Sequence, residues 1–536
     1  METMSGMFFD SRRSNVLASK GMVATSQPLA ATTGLRILME GGNAVDAAIA
    51  TAAALNVVEP MSTGVGGDMF ALVWDNKAKT VRALNGSGRA PAAANIDELT
   101  GKGHRAMPDI GVYSVATPGT VHGRETLLND CGPMPLSEVL NPAIGYAENG
   151  FPVSDIISVQ WQQQLGKLSA FPSGTEMLPN GGAPSQGDFV KLPTLAATLR
   201  AIAEGGANAF YTGPIAERTC AFVQEHGGWL AVDDMATHTS DWDEPISTDY
   251  RGVTCWECPP NGQGIAALGA LNIAEGFDIK GMGAQSPDAY HHLIEAMRLG
   301  FADAFQYVAD PRKANVPINE LTSKEFASTR RALIDSKKAM STAPYGKVLK
   351  GSDTVYISVV DEHGNACSFI NSVFSNFGSG MVVPGTGIVL HNRASLFSLD
   401  PNHANALAPH KRPYNTIIPG MATIDNELYL SYGMMGAFMQ PQGHLQLISN
   451  MVDHSMDPQQ AINALRFMVG NDTVLLEEGL NPAIAKDLRS RGHNVGQITG
   501  YDRVSIGGAQ MIQRDPDNGV LTGASEPRKD GCAVGY

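Results

Sequence analysis

Two cysteines, Cys255 and Cys258, give the one spacing in the chain that could hold a metal or cycle between thiol and disulfide. They lie in Tyr250-Arg-Gly-Val-Thr-Cys-Trp-Glu-Cys258, a run that reads as one strand ending at Pro259-Pro260. Residues three apart on a strand face opposite sides, so one metal could not readily take both sulfurs. No second Cys or His pair follows at zinc-finger spacing. His291 and His292 adjoin in a helical pattern, where neighbours point to different sides and make a poor ligand pair. Gly64-Val-Gly-Gly67 is glycine-rich but runs into Asp68-Met-Phe rather than the helix start that cradles a phosphate. The chain has no P-loop, no Gly-x-Ser-x-Gly elbow and no His-Glu-x-x-His. Neither a metal nor a cofactor is expected.

The bulk composition excludes other classes. A net charge of -15 argues against nucleic acid, which is bound by clustered Lys and Arg. The densest basic run, Lys324 to Lys338, is interrupted by acids and apolar residues and reads as a solvated helix face. No apolar run reaches the roughly 18 residues of a membrane helix. Residues 1–15 lack the apolar stretch of a secretory signal, and six cysteines in 536 residues make no disulfide framework. These features together place the expected site of action in the reducing cytoplasm.

The elements that must position any site are helices mixed with short strands as far as residue 335. Helices are expected at Leu35 to Glu40, Ala44 to Val57, Leu192 to Glu204 and Pro214 to Glu225. The second begins after Gly41-Gly42-Asn43, with Asp46 in its first turn, and reads as buried and capped. The clearest helix is Asp288 to Ala309, with Ser286 as cap and Pro287 at the first helical position. Lys337 to Lys350 is polar, contains Pro344 and Gly346, and reads as an exposed loop. Strands follow at Val355 to Asp361 and Ala366 to Val373, joined by a turn containing Gly364. A second hairpin is expected across Asp425-Asn426, from Thr416 to Ile424 and from Glu427 to Tyr432. Hairpins beside long helices indicate an α+β fold rather than a doubly wound parallel sheet.

A resemblance extends this reading. Gly41-Gly-Asn-Ala-Val-Asp-Ala-Ala-Ile-Ala50, Glu59-Pro60 and Gly64-Val-Gly-Gly-Asp68 resemble the opening block of γ-glutamyltranspeptidases. Arg89-Ala-Pro91, Pro118-Gly-Thr-Val121, Asp249-Tyr-Arg-Gly252 and Pro259-Pro-Asn-Gly-Gln-Gly264 continue it. So do Glu295-Ala-Met-Arg-Leu-Gly-Phe-Ala-Asp303 and the tail from Glu526-Pro-Arg528 to Gly535-Tyr536. The blocks keep the family's order over nearly the whole chain. Such a resemblance implies the αββα sandwich of N-terminal-nucleophile hydrolases, and a precursor that cuts itself before a threonine. Asp353-Thr-Val-Tyr-Ile-Ser-Val-Val-Asp361 with Gly364-Asn365 is similar to the family's nucleophile segment and makes Thr354 that threonine. Two chains, 1–353 and 354–536, would result.

Other roles are implied position by position. Ser372 stands where a second hydroxyl orients the nucleophile, with Ser in place of Thr. Gly436 and Ala437 match paired glycines whose N–H groups form an oxyanion hole. Arg89 matches the arginine that clamps a substrate carboxylate, with a structural salt bridge as the alternative. Where typical members hold a glutamyl head group with Asn, Gln and Asp, this chain has Phe374, Arg393 and Leu396. The carboxylate-binding serine pair becomes Asn415 and Thr416. Arg393 thus reads as a second cation beside Arg89, favouring an anion without an ammonium group. The stretch from Leu399 to Lys411 is short for the family's lid and implies an open site.

Asn371-Ser-Val-Phe-Ser375 and Asn392-Arg-Ala-Ser395 resemble a lidless subgroup that includes glutathione hydrolase-like proteins and oxamate amidohydrolases. The expected activity is hydrolysis of a γ-glutamyl amide or a small carboxylate-bearing amide, with transfer to an acceptor amine as a further outcome. An acylase of larger amides, such as β-lactam side chains, and a non-catalytic binding protein on the same fold are the alternatives.

Overall fold

Antiparallel pairing organises the chain, beginning with the hairpin expected around Gly364. The computed structural model describes residues 13–341, 343 and 354–536. Ahead of residue 342 the elements that bear on the site are β1 (Met22–Thr25), α1 (Pro28–Met39), α2 (Ala44–Val58), β2 (Asp68–Asp75), β3 (Thr80–Gly86), α3 (Pro193–Tyr211), α4 (Pro214–Glu225), β4 (Ile246–Tyr250), β5 (Val253–Glu257), α5 (Gly264–Ala274) and α6 (Pro287–Tyr307). Beyond residue 353 they are β6 (Val355–Val360), β7 (Ala366–Ser372), β8 (Pro419–Ile424), β9 (Glu427–Met435), α7 (Met439–Val452), β10 (Gly508–Arg514), β11 (Leu521–Ser525) and β12 (Cys532–Gly535).

These strands build two seven-stranded antiparallel sheets. One runs β12-β1-β6-β7-β2-β3 and ends on the short strand Asp241–Asp243. The other starts from the short strand Val16–Ala18 and runs β11-β10-β9-β8-β5-β4. Helices α1 and α2 cover the first sheet, and α5 and α7 cover the second, with α6 packed on α5. The layers are therefore αββα, the α+β sandwich that the resemblance implies.

Burial on both faces explains the strand sequences. On β6, Val355, Ile357 and Val359 enter the core beneath the helices, while Tyr356 and Val360 point between the sheets. A strand covered on both sides reads as a continuous apolar run. Ser358 interrupts it and donates across the sandwich to Ser431 Oγ on β9 at 2.7 Å. All fifteen residues of α2 are buried. Asn43 Oδ1 caps its first amides, and Asp46 Oδ2 accepts from the Asn43 N–H at 2.8 Å, closing a capping box.

Several expectations shift at the edges. Helix α1 starts at Pro28 rather than Leu35, because the Gln27 side chain caps the amides of Leu29 and Ala30 ahead of the β-branched Thr32-Thr33. Helix α3 continues past Glu204 to Tyr211, breaking at Gly206 (φ +65°, ψ −159°). Helix α4 matches its expected span, and α6 is capped by Ser286 as its sequence implies, ending at Tyr307. The run 250–258 is not one strand. Arg251 (φ +54°) and Gly252 (φ +86°) fold it into a hairpin between β4 and β5. Positive φ at both Asp425 and Asn426 gives the tight turn of the second hairpin. Strand β8 begins at Pro419 instead of Thr416, since the Asn415 and Ile418 amides donate to Asn261 O and to Gln440 Oε1. Of the loop expected over Lys337 to Lys350, residues 342 and 344–350 lie outside the described residues.

Gly433 on β9 lies directly against Tyr356 of the facing sheet. A β-carbon there would stand 2.4 Å from the Tyr356 ring. Gly433→Ala should therefore destabilise the protein by about 1–3 kcal/mol through overpacking. A thermal melt with an unchanged midpoint would show that the sheets separate there without loss.

Candidate active site

The register of three neighbouring strands lines up three polar side chains. Val355 on β6 pairs with Asn371 on β7, so Thr354 falls opposite Ser372, and Ser372 in turn pairs with Asp68 on β2. Directly opposed residues of antiparallel strands present their side chains on the same face. By parity with Tyr356, Ile370 and Phe70, that face is the one between the sheets. Thr354 Oγ1 donates to Ser372 Oγ at 3.1 Å, and Ser372 Oγ also accepts from the Phe374 amide at 2.8 Å. Asn371 points the other way and ties down the end of β7. Its Oδ1 accepts from Thr63, Asn56 and Arg124, and its Nδ2 donates to Asp68 O at 2.7 Å. Burial pulls the Arg124 guanidinium down to about 9.

The facing sheet brings up the turn between β9 and α7. Ser358 lies over Ser431 and Tyr356 over Gly433. The same stepping carries Thr354 to the level of Met435, one residue from Gly436. Gly436 (φ +117°) and Ala437 (φ +49°) both adopt left-handed backbone. Their N–H groups meet no acceptor among the described residues. Two successive free amides in such a turn form a concavity suited to negative charge. The β-carbon of Ala437 makes that conformation costly, by about 1–2 kcal/mol.

Beyond Ser372, the row ends in a buried ion pair. Arg393 Nε donates to Asp68 Oδ2 at 3.1 Å, and its Nη1 donates to Thr416 Oγ1 at 2.7 Å. Asn415 Nδ2 donates to the same Asp68 oxygen at 2.8 Å. The Phe374 ring stacks on the guanidinium, with Arg393 Cζ 4.6 Å from the ring centroid. His391 Nδ1 accepts from the Arg393 amide, while its Nε2 faces Ala116 O at 3.0 Å. That arrangement fits a neutral imidazole, and burial, the largest influence, holds its pKa below the ordinary value. Sequence reading makes Arg393 a second cation beside Arg89; here Asp68 neutralises it. Leu396 is only half-buried, at the end of the turn Arg393–Leu396.

Arg89 sits in a second charge cluster. Its Nη2 pairs with Asp241 Oδ2 at 3.0 Å and its Nη1 donates to Thr239 O. Asp241 Oδ2 also receives Arg412 at 2.6 Å and Arg312 at 3.4 Å. Burial would raise the Asp241 carboxyl, yet Arg412 and its neighbours hold it below the usual range. The two clusters join at Ser87, whose carbonyl accepts from Arg412 and whose Oγ accepts from Asn415. The Arg89 side chain keeps 22% of its surface exposed, against none for Arg393.

The open site expected from the short stretch Leu399 to Lys411 is not what the uncut chain shows. Thr354, Asn415 and Thr416 are fully buried, because Thr354 leads into an interior strand covered by the second sheet. Sequence reading also missed Asp68, His391 and Asp241 as neighbours of the site. Asp68 was visible only as the end of the Gly64–Asp68 block. Gly67 in that block lets the chain pass Ser372 closely, since a β-carbon there would stand 2.3 Å from Ser372 O.

The remaining candidates lie elsewhere. Cys255 packs in the core beneath the helices and Cys258 in the core between the sheets, on opposite faces as expected for a strand. Burial pushes both thiols well above the ordinary range. His291 faces His493 at 2.8 Å and His292 faces Asp288 O, both buried on α6. Among the described residues no three His, Cys, Asp or Glu side chains are grouped to hold a metal. No helix among them is long and apolar enough to cross a membrane.

Comparison with known proteins adds a second kind of observation. The family model "Gamma-glutamyltranspeptidase" matches residues 30–536. The glutathione hydrolase-like YwrD proenzyme of Bacillus subtilis is 38% identical over 529 residues, covering 97% of this chain and 99% of its own. The oxamate amidohydrolase proenzyme of Klebsiella pneumoniae is 34% identical over 536 residues, covering 98% and 100%. Among solved structures, the cephalosporin acylase from Bacillus halodurans superposes with a TM-score of 0.92 at 43% identity, covering 98% of each chain.

The pairing of Asp68 with Arg393 has a measurable consequence. Removing one partner of a buried ion pair typically costs about 3–5 kcal/mol, because the other charge is left unmatched. Asp68→Asn should therefore lower the unfolding midpoint sharply, and adding Arg393→Gln should restore part of the loss. Additive losses in that double-mutant cycle would mean that the two groups do not depend on each other.

Proposed function

The chain belongs to the gamma-glutamyltranspeptidase family and is an amide hydrolase, and we propose that it is a precursor that cuts itself before Thr354 and uses that threonine as nucleophile. The observation that carries this reading is the 3.1 Å hydrogen bond from Thr354 Oγ1 to Ser372 Oγ. Residues 1–353 and 354–536 become two chains.

A threonine hydroxyl is a weak nucleophile and needs an adjacent base. Cleavage before Thr354 frees an α-amine with a pKa of about 7.7–8. In its neutral form that amine takes the hydroxyl proton as Oγ1 attacks the substrate carbonyl carbon. The carbonyl oxygen gains negative charge, and the amides of Gly436 and Ala437 donate to it. The amine returns the proton to the departing nitrogen as the C–N bond breaks, leaving an ester on Thr354. Water then attacks the ester by the same proton transfers and releases the acid. Ser372 Oγ fixes the direction of the nucleophile.

Arg89 is the residue suited to a substrate carboxylate, because it is partly exposed while Arg393 is sealed against Asp68. The acyl group is that of a γ-glutamyl amide or of a small acid amide such as oxamate. Discrimination against an ammonium group, expected when Arg393 is taken as a free cation, loses its basis once Asp68 neutralises it. The likeness to cephalosporin acylase supports a second reading, an acylase of larger amides.

Purified protein should run as two chains with Thr354 at the new N-terminus. Thr354→Ala should stay whole and show no turnover; an active, uncut variant would end this reading. Activity of the processed enzyme should fall with decreasing pH along a limb set by the amine, near pH 7.7–8, since only the neutral amine accepts the proton. Arg89→Gln should lower kcat/KM about ten- to hundred-fold for every carboxylate-bearing amide. Retained kcat/KM would remove Arg89 from the carboxylate site.

A further inference from the structure

Gln263 is the fully buried residue immediately ahead of α5, and its polar atoms meet two segments of the chain beyond residue 353, Tyr414–Thr416 and Ala437. Its Nε2 donates to Thr416 O at 2.7 Å and to Ala437 O at 2.9 Å, using both amide hydrogens. Its Oε1 accepts from Tyr414 Oη at 3.0 Å, and its backbone N–H donates to Asn415 O at 3.0 Å. Among side chains of this size, a primary amide supplies two donors and an acceptor from one end.

The geometry points to Gln263 as the positioning residue of the oxyanion donors, resting on the reading of Gly436 and Ala437 given above. Ala437 is held at φ +49°, where a residue with a β-carbon does not remain without support. Its carbonyl is fixed from one side by Gln263 and from the other by the Gln440 amide at 3.1 Å. Pinning that carbonyl fixes the rotation of the residue and keeps the N–H groups of Gly436 and Ala437 aimed the same way. The second hydrogen bond extends the restraint to Thr416, whose hydroxyl accepts from Arg393. One side chain from residues 1–353 thereby sets the spacing between the oxyanion turn and the buried pair of Arg393 and Asp68. Tyr414 orients the amide, so that its nitrogen rather than its oxygen faces the two carbonyls.

The test uses the processed enzyme and the amide that it turns over fastest. Gln263→Met keeps the length of the side chain and loses every side-chain hydrogen bond. It should lower kcat about ten- to hundred-fold with KM within about threefold, a smaller loss than the hundred- to thousand-fold that follows from deleting an oxyanion donor outright. A boronic acid in which boron replaces the carbonyl carbon of that acyl group becomes tetrahedral and anionic when Thr354 Oγ adds to boron. Its affinity should fall by the same factor as kcat, while that of the corresponding free carboxylic acid stays unchanged. Gln263→Glu, with similar shape but a carboxylate facing two carbonyl oxygens, should be at least as impaired. Unchanged kcat, or equal loss of affinity for boronic and carboxylic acids, would reduce Gln263 to a packing residue. Thr354→Ala separates the two levels: if that variant turns over substrate, the nucleophile assignment fails whatever Gln263 does.

Discussion

Cross-strand register on β6, β7 and β2 is the constraint on which the site depends. The period of a strand is two, so slipping β6 by one residue against β7 would turn Thr354 toward the helices and Val355 into the gap between the sheets. The turn around Gly364, closed by the Asp361 and Asn365 backbone, and the 2.8 Å hydrogen bond between Tyr356 Oη and Ser368 Oγ hold that register within the hairpin. It is also held by polar groups at fixed positions. Ser358 bonds Ser431 across the sandwich, Asn371 anchors the end of β7 to Asp68 O, and Gly433 admits only the Tyr356 ring. Each of these groups would be left unsatisfied or overlapped by a one-residue shift. The burial that makes the site costly to misplace also gives it one geometry.

Charge follows the same logic. A guanidinium without surface exposure is costly unless it is paired, and Arg393 has Asp68. Stacking on Phe374 covers the remaining face of the cation. Arg89 shares Asp241 with two other arginines and keeps contact with solvent. Two arginines that look equivalent in the sequence are therefore unequal in the fold. Burial, rather than residue type, separates them.

Local signals were legible wherever they are backbone chemistry. The Asn43–Asp46 capping box, the Ser286-Pro287 start of α6 and the Asp425-Asn426 turn each satisfy specific amides or dihedrals, and each lies where the sequence puts it. The Arg251-Gly252 turn was missed because its flanks share the apolar pattern of a single strand. Of the site, the Thr354–Ser372 pair was legible through the hairpin and the family blocks. Asp68 was not, because its partners Arg393 and Asn415 lie more than three hundred residues away. Its role depends on the pairing of β2 with β7, which no local pattern states. Gln263 escaped for the same reason: a glutamine after Asn261-Gly262 looks like turn chemistry until both carbonyls are brought to it.

Interleaving of the strands also explains why cutting before Thr354 would leave the molecule intact. In the first sheet, β1 lies between β12 and β6, and β7 lies against β2, so segments from either side of the junction alternate. The second sheet continues from β8 to β5 across the same divide. Separating residues 1–353 from 354–536 would require breaking five strand ladders and exposing the core between the sheets. The break would therefore release little but the new amine of Thr354, held by β6 at the head of the row that ends in Asp68. A freed terminus is normally the most mobile point of a chain. Here the terminus that such a cut would create heads an interior strand with Ser372 beside it, in surroundings whose geometry is already set.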